Sequence, residues 1–164
     1  MRKKNKKGSL EDLGMIILFV FGFCFLALIG YKLANGLNTE IQASSALEAH
    51  GKTAANTIES FYPGVIDNSA LFFTIGLCIV SLVLAGMVRV HPIFLVFYIM
   101  FLPFMIYMGA VFSNVYETMA TNAELSTLAS NLTMISIITQ WLPLIVTVIG
   151  ILLAIVMYKN WRET

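Results

Sequence analysis

Apolar residues fall in four long runs, and polar or ionisable residues mark where each one stops. Leu13 to Tyr31 carries no charge between Asp12 and Lys32, and Ala70 to Val88 none between Asp67 and Arg89. A third run opens on Pro92, a residue suited to the first turn of a helix, and continues to Phe112. A fourth is more polar at Ser136, Thr139 and Gln140, then reads without a charge from Trp141 to Tyr158. About 20 residues at about 1.5 Å rise cross a hydrocarbon core of about 30 Å, so each run predicts a membrane-spanning helix. The expected fold class is all-α: a polytopic membrane protein with four transmembrane helices and a small helical extra-cytoplasmic cap. Residues 1–164 then form a single membrane domain with spans at about 13–33, 70–88, 92–112 and 136–158, joined outside by connections at 34–69 and 113–135.

The outer connections have helical patterns of their own. Residues 34–69 are rich in Ala, Ser, Thr and Asn, and propensity favours helix over 38–50 and 52–60, with Gly51 as a break and Tyr62-Pro63-Gly64 as a turn. The first span is therefore expected to continue outward as a helix and return through that turn. In the second connection Thr121-x-x-Glu124 reads as a capping box opening a short helix with Leu125, Leu128 and Leu132 on one stripe. That helix is expected on the membrane surface or against the first outer helix. Ser9-Leu10-Glu11-Asp12 reads as a second capping box, and Pro103 and Pro143 predict kinks in the third and fourth spans.

Composition agrees with a bilayer environment. Of 164 residues, 59% are hydrophobic and 12% charged, and mean hydropathy is +0.85, against about 45–50% apolar and about 25% charged in soluble domains. Two cysteines exclude a disulfide scaffold. A net charge of +1 argues against a specific nucleic-acid partner, and the apolar run of 19 residues at the N-terminus is longer than the about 7–15 of a signal peptide.

Near-neutrality conceals a polarity. On the four-span threading one side holds eight bases (Arg2, Lys3, Lys4, Lys6, Lys7, Arg89, Lys159 and Arg162) against three acids, net +5. The other side holds Lys32 and Lys52 against six acids, net −4. Basic residues favour the cytoplasmic side, so both termini are expected there in a multi-pass protein of a host or virion membrane. The eight basic residues are the candidates for contact with anionic lipid, at about 1 kcal/mol each, or with an acidic partner. Glu40, Glu48, Lys52 and Glu59 are the candidate outer partner contacts, and Trp141, Tyr158 and Trp161 the candidate interface anchors.

Signals for chemistry are sparse. Cys24 and Cys78 fall at similar depth with no His, Asp or Glu in the spans, which suits packing better than metal binding. His50 and His91 are predicted in loops on opposite sides, Asn131-Leu132-Thr133 is a sequon close against the fourth span, and no HExxH, CxxC or GxSxG occurs. Ionisable groups inside spans mark proton relays and ion paths, and these four runs have none. No catalytic, cofactor-binding or metal residue is expected, and the reading is not an enzyme.

Lys6-Lys7-Gly8-Ser9 ahead of an apolar helix resembles the processing site of archaeal prepilins, although three further spans and the pair Glu11-Asp12 depart from that pattern. The whole chain resembles the small multi-span integral membrane proteins of lipid-containing bacterial and archaeal viruses. The shared features are the Lys-Lys-Gly-Ser start, the Ala/Ser-rich outer segment, the Pro-led aromatic span, Ser113-Asn114-Val115-Tyr116-Glu117, and a Trp-Leu-Pro span ending in Lys159-Asn160-Trp161. The resemblance implies a structural component of a virion or viral membrane, a homo-oligomer or a partner of capsid and other membrane proteins in the lipid bilayer. A holin-like pore and an accessory subunit of a cellular membrane complex are the alternative expectations.

Overall fold

Without water to bond to, a backbone crossing hydrocarbon must satisfy its own N–H and C=O groups, and every element among the described residues is helical. The computed structural model describes residues 10–87 and 92–162, in α1 (Leu10–Ala43), α2 (Ala49–Met87), α3 (Pro92–Ala120), α4 (Ser126–Ser130), α5 (Thr133–Gln140) and α6 (Leu142–Arg162). Four of these, α1, α2, α3 and α6, are long and apolar enough to cross a membrane.

Each span contributes a stripe to a common interior. On α1 the buried side chains are Leu13, Ile17, Val20, Cys24, Leu28 and Tyr31, spaced three or four apart so that they share one face; on α6 they are Leu142, Val146, Leu153 and Met157. Lipid is as apolar as leucine, so close packing and hydrogen bonds hold such helices together. The α3–α6 contact shows both. Gly109 lies against Pro143 and Val146, Gly150 lies under Leu102, and the buried Tyr98 hydroxyl donates to the Gly150 carbonyl at 3.0 Å. At the other end of α2, Asn160 of α6 donates through Nδ2 to the carbonyls of Ala85 and Gly86 at 2.9 and 3.0 Å. These are carbonyls that the last turn of a helix leaves unpaired.

Three boundaries differ from those expected of the sequence. Tyr62-Pro63-Gly64 is no turn: α2 runs through it unbroken from Ala49 to Met87. Proline costs one backbone bond, but Glu59 and Tyr62 in the preceding turn are engaged by α1, which holds the helix in register. The chain reverses instead at 44–48, so Gly51 and His50, expected as a break and a loop residue, lie in the first turn of α2.

The fourth span starts at Leu142 and not near 136, because the helix is interrupted at Trp141. Pro143 has no N–H to give the carbonyl four residues back, that of Thr139, and its ring crowds that carbonyl. The predicted kink is therefore a division into α5 and α6. Finally, the Thr121–Glu124 capping box does not form. The Thr121 hydroxyl donates back to the carbonyls of Glu117 and Thr118, and Leu125 caps α4 without a side-chain bond. The α4–α5 segment packs inward on α1, α2 and α3, burying Leu128, Leu132, Ile135 and Ile138.

Candidate functional site

Beyond the charge-free runs, α1 and α2 continue as an antiparallel hairpin. At about 1.5 Å per residue, residues 32–43 of α1 and 49–66 of α2 rise about 18 and 27 Å further. Their facing sides are polar. Asn35, Asn38 and Gln42 on α1 recur at the same intervals, in reverse order, as Lys52, Asn56 and Glu59 on α2. Glu59 accepts from Asn35 at 2.8 Å and from Asn38 at 3.1 Å, Asn56 accepts from Asn38 at 2.8 Å and from Gln42 at 3.2 Å. At the tip Gln42 Nε2 donates to the Lys52 carbonyl and Lys52 Nζ to the Gln42 carbonyl, both at 2.8 Å. Below this ladder Tyr31 and Tyr62 stack with ring centroids 5.4 Å apart, and the Tyr62 hydroxyl donates to the Ala27 carbonyl at 3.3 Å. Gly30 makes that seat possible, since a Cβ there would collide with the hydroxyl.

The base of the hairpin is clamped by a buried carboxylate. Asp67 of α2 accepts from the backbone N–H groups of Met134 and Ile135, each at 2.8 Å. These are the second and third residues of α5, whose own cap position, Leu132, offers no side-chain acceptor. A carboxylate at a helix N-terminus meets both unpaired donors and the positive end of the helix dipole. Nearby, Asn131 donates to the Tyr31 hydroxyl at 3.2 Å, so the sequon asparagine is tied to α1.

Compared with known protein families, curated proteins and solved structures, the chain has no match. The reading therefore rests on the residues themselves.

Of the candidate outer contacts, Glu40 and Glu48 are exposed, whereas Lys52 and Glu59 are half-buried rungs of the ladder. Trp141 and Tyr158 are exposed near opposite ends of α6, and the Trp161 side chain lies outside the described residues. Lys159 and Arg162 are exposed in the last turn of α6. Arg2, Lys3, Lys4, Lys6, Lys7, Arg89, His91 and the Ser9 capping box lie outside the described residues. Cys24 is buried and Cys78 half-buried, and among the described residues no three His, Cys, Asp or Glu side chains gather as a metal site would need.

Residue-type motifs missed the ladder and the Asp67 clamp. Their signal was the mirrored polar spacing on α1 and α2, legible only once the two segments are known to face each other. Outside the ladder, large apolar side chains stand exposed on the hairpin, Leu33 and Leu37 on α1 and Ile58, Phe61 and Val65 on α2, beside the exposed polar residues Thr39, Glu40, Thr53 and Ser60.

One ion pair, the only one among the described residues, joins Lys32 of α1 to Glu124 before α4. Lys32 holds the Glu124 carboxyl below its ordinary 4.5, by hydrogen bond and then by charge. A depressed folded-state pKa means that the contribution is full above the unfolded value and is lost as pH falls through the folded one. The Tm difference between the native chain and Glu124→Gln should thus hold from pH 7 to pH 5 and vanish only below the ordinary carboxyl range. Both partners are exposed, so the difference is small and should shrink further in 1 M salt. A difference that grows on acidification would contradict the pairing.

Proposed function

We propose that this chain is a structural membrane protein that carries a stiff helical hairpin on its acidic, extra-cytoplasmic side and acts by packing with itself and with shell or other membrane proteins. The observation that supports it is the unbroken passage of α1 and α2 from the bundle into a hairpin that is locked by side-chain hydrogen bonds and presents large apolar side chains outward. A mobile loop transmits no position. Two continuous helices cross-linked at three levels fix whatever docks on them relative to the bilayer. The net −4 of that side and the net +5 of the other orient it, with both termini cytoplasmic. The resemblance to virion-membrane proteins makes a viral membrane the expected setting and capsid or spike proteins the expected partners.

Two experiments test this reading. Single cysteines at His50 and Asn122 should react with an impermeant maleimide from outside, and those at Ser9 and His91 only after permeabilisation; labelling of His91→Cys from outside overturns the orientation. Gently solubilised native membranes should yield the chain together with other membrane or shell proteins. Recovery as an isolated monomer, or rapid loss of membrane potential when the chain is expressed alone, overturns the structural role, the latter in favour of a pore.

A further inference from the structure

The amphipathicity of α2 is inverted for a helix in water. Its charged residues Lys52, Glu59 and Asp67 face the chain's own helices, while Ile58, Phe61 and Val65 face away and are 60% to 68% exposed. The outward residues do not stop at the membrane. Ile58, Val65, Phe72 and Ile79 recur every seven residues, and Phe61, Asn68 and Ile75 interleave with them at alternating spacings of three and four. All seven are exposed. This is the a/d pattern of a coiled coil, with β-branched residues at three of the four a positions and a single asparagine among the d positions.

Lipid covers only part of this seam. From Ile58 to Met87, where α2 ends, is about 44 Å at about 1.5 Å per residue, against about 30 Å of hydrocarbon. A bilayer that covers Phe72 and Ile79 leaves Ile58 and Phe61 in water, and a soluble partner on Ile58 and Phe61 leaves the lower seam untouched. The occupant must itself run from the bilayer into the outer space beside α2, uncharged along its length. The flanks of the seam make the same demand, with Thr57, Gly64 and Leu71 on one side and Tyr62, Ser69 and Gly76 on the other. An open groove of about 300 Å³ between Thr57 and Ile66, lined by Ile58, Phe61, Tyr62 and Val65, lies alongside the knobs.

We infer that α2 pairs in parallel with α2 of a second copy of the chain, along the seam from Ile58 to Ile79. Copies in one membrane insert the same way, so a twofold axis along the membrane normal sets each seam residue opposite its own counterpart. The knob-bearing face and its groove then serve both partners, small Gly64, Ser69 and Gly76 let the backbones approach, and Asn68 meets Asn68 and fixes the register. The face of α1 fits less well, because its outer stripe of Leu33 and Leu37 lies between the charges of Lys32 and Glu40.

This pairing deepens the structural reading above and rests on it. The test uses the full chain in its native membrane, with Cys24→Ala and Cys78→Ala as background and one cysteine added at a time. Oxidation should cross-link Phe61→Cys, Val65→Cys and Phe72→Cys to homodimers at least five-fold more than the off-seam Ser60→Cys and Val80→Cys. Equal yields at all five positions, cross-links to another protein in place of the homodimer, or a homodimer only through Leu33→Cys or Leu37→Cys each overturn it. Ile58→Glu with Val65→Glu alters only side chains exposed in the single chain, and should lower the dimer fraction at least ten-fold while leaving the helical signal unchanged; an unchanged dimer fraction overturns the seam. If the seam fails while shell or membrane partners still co-purify, the structural role stands without it; cross-links at the seam with loss of membrane potential keep the pairing and remove the structural role.

Discussion

Replacing Asp67 with alanine should destabilise the folded chain by about 2–4 kcal/mol and release α5 from α2. Both carboxylate oxygens accept from the first turn of α5, at 2.8 Å each, in a buried site. Losing a helix cap costs about 1–2 kcal/mol, and a hydrogen bond to a charged group contributes about 1.5–3 kcal/mol. Leu132 offers no substitute side-chain acceptor. Asp67→Asn keeps a single acceptor oxygen and should fall between alanine and the native chain. Hydrogen exchange tests the mechanism separately from stability: the amides of Met134 and Ile135 should exchange much faster in Asp67→Ala, while those in the middle of α6 change only with global stability. Unaltered protection at Met134 and Ile135 would refute the clamp.

The clamp also shows where reading the sequence succeeds and where it stops. Spans are legible because a bilayer demands about 20 residues without charge, a property of the run itself, and the runs around Ile17, Ile79, Ile99 and Leu152 each lie in a helix long enough to cross. In such a reading Asp67 serves only as the edge of a run. Its role depends on α5, which lies 67 residues away at Met134, and no local window joins the two. Turn signals fail at Tyr62-Pro63-Gly64 for the same reason. Locally the triplet favours reversal, but Tyr62 seated over Gly30 and Glu59 bonded to Asn35 and Asn38 hold α2 straight. The capping box at Thr121 loses to two competitors, the α3 carbonyls that take the Thr121 hydroxyl and Lys32, which takes the Glu124 carboxylate. Charge marks Lys52 and Glu59 as surface contacts, yet the hairpin turns them inward and its apolar residues out, which becomes readable only when the face that meets α1 is known.

Gly150→Val should loosen the α3–α6 contact, costing about 2–4 kcal/mol. A Cβ at Gly150 would collide with Leu102, and the branched methyls add bulk where α3 and α6 are in contact. Overpacking a well-filled site costs about 1–3 kcal/mol. The valine methyls also crowd the buried Tyr98 hydroxyl, 3.5 Å from that Cβ, and disturb its bond to the Gly150 carbonyl, worth about 1 kcal/mol. Tyr98→Phe isolates that second contribution and should cost only about 1 kcal/mol, since the ring still fills its place. Gly22→Ala is the control: nothing lies within 4 Å of a Cβ at that helical position, so alanine should be neutral or stabilising by up to about 1 kcal/mol through helix propensity. Unfolding in mixed micelles, followed by tryptophan fluorescence, ranks the three. Because the hydrophobic effect gives helices in lipid little reason to associate, packing and hydrogen bonding decide the ranking, and a Gly150→Val protein as stable as Gly22→Ala would mean that α3 and α6 do not meet at Gly150.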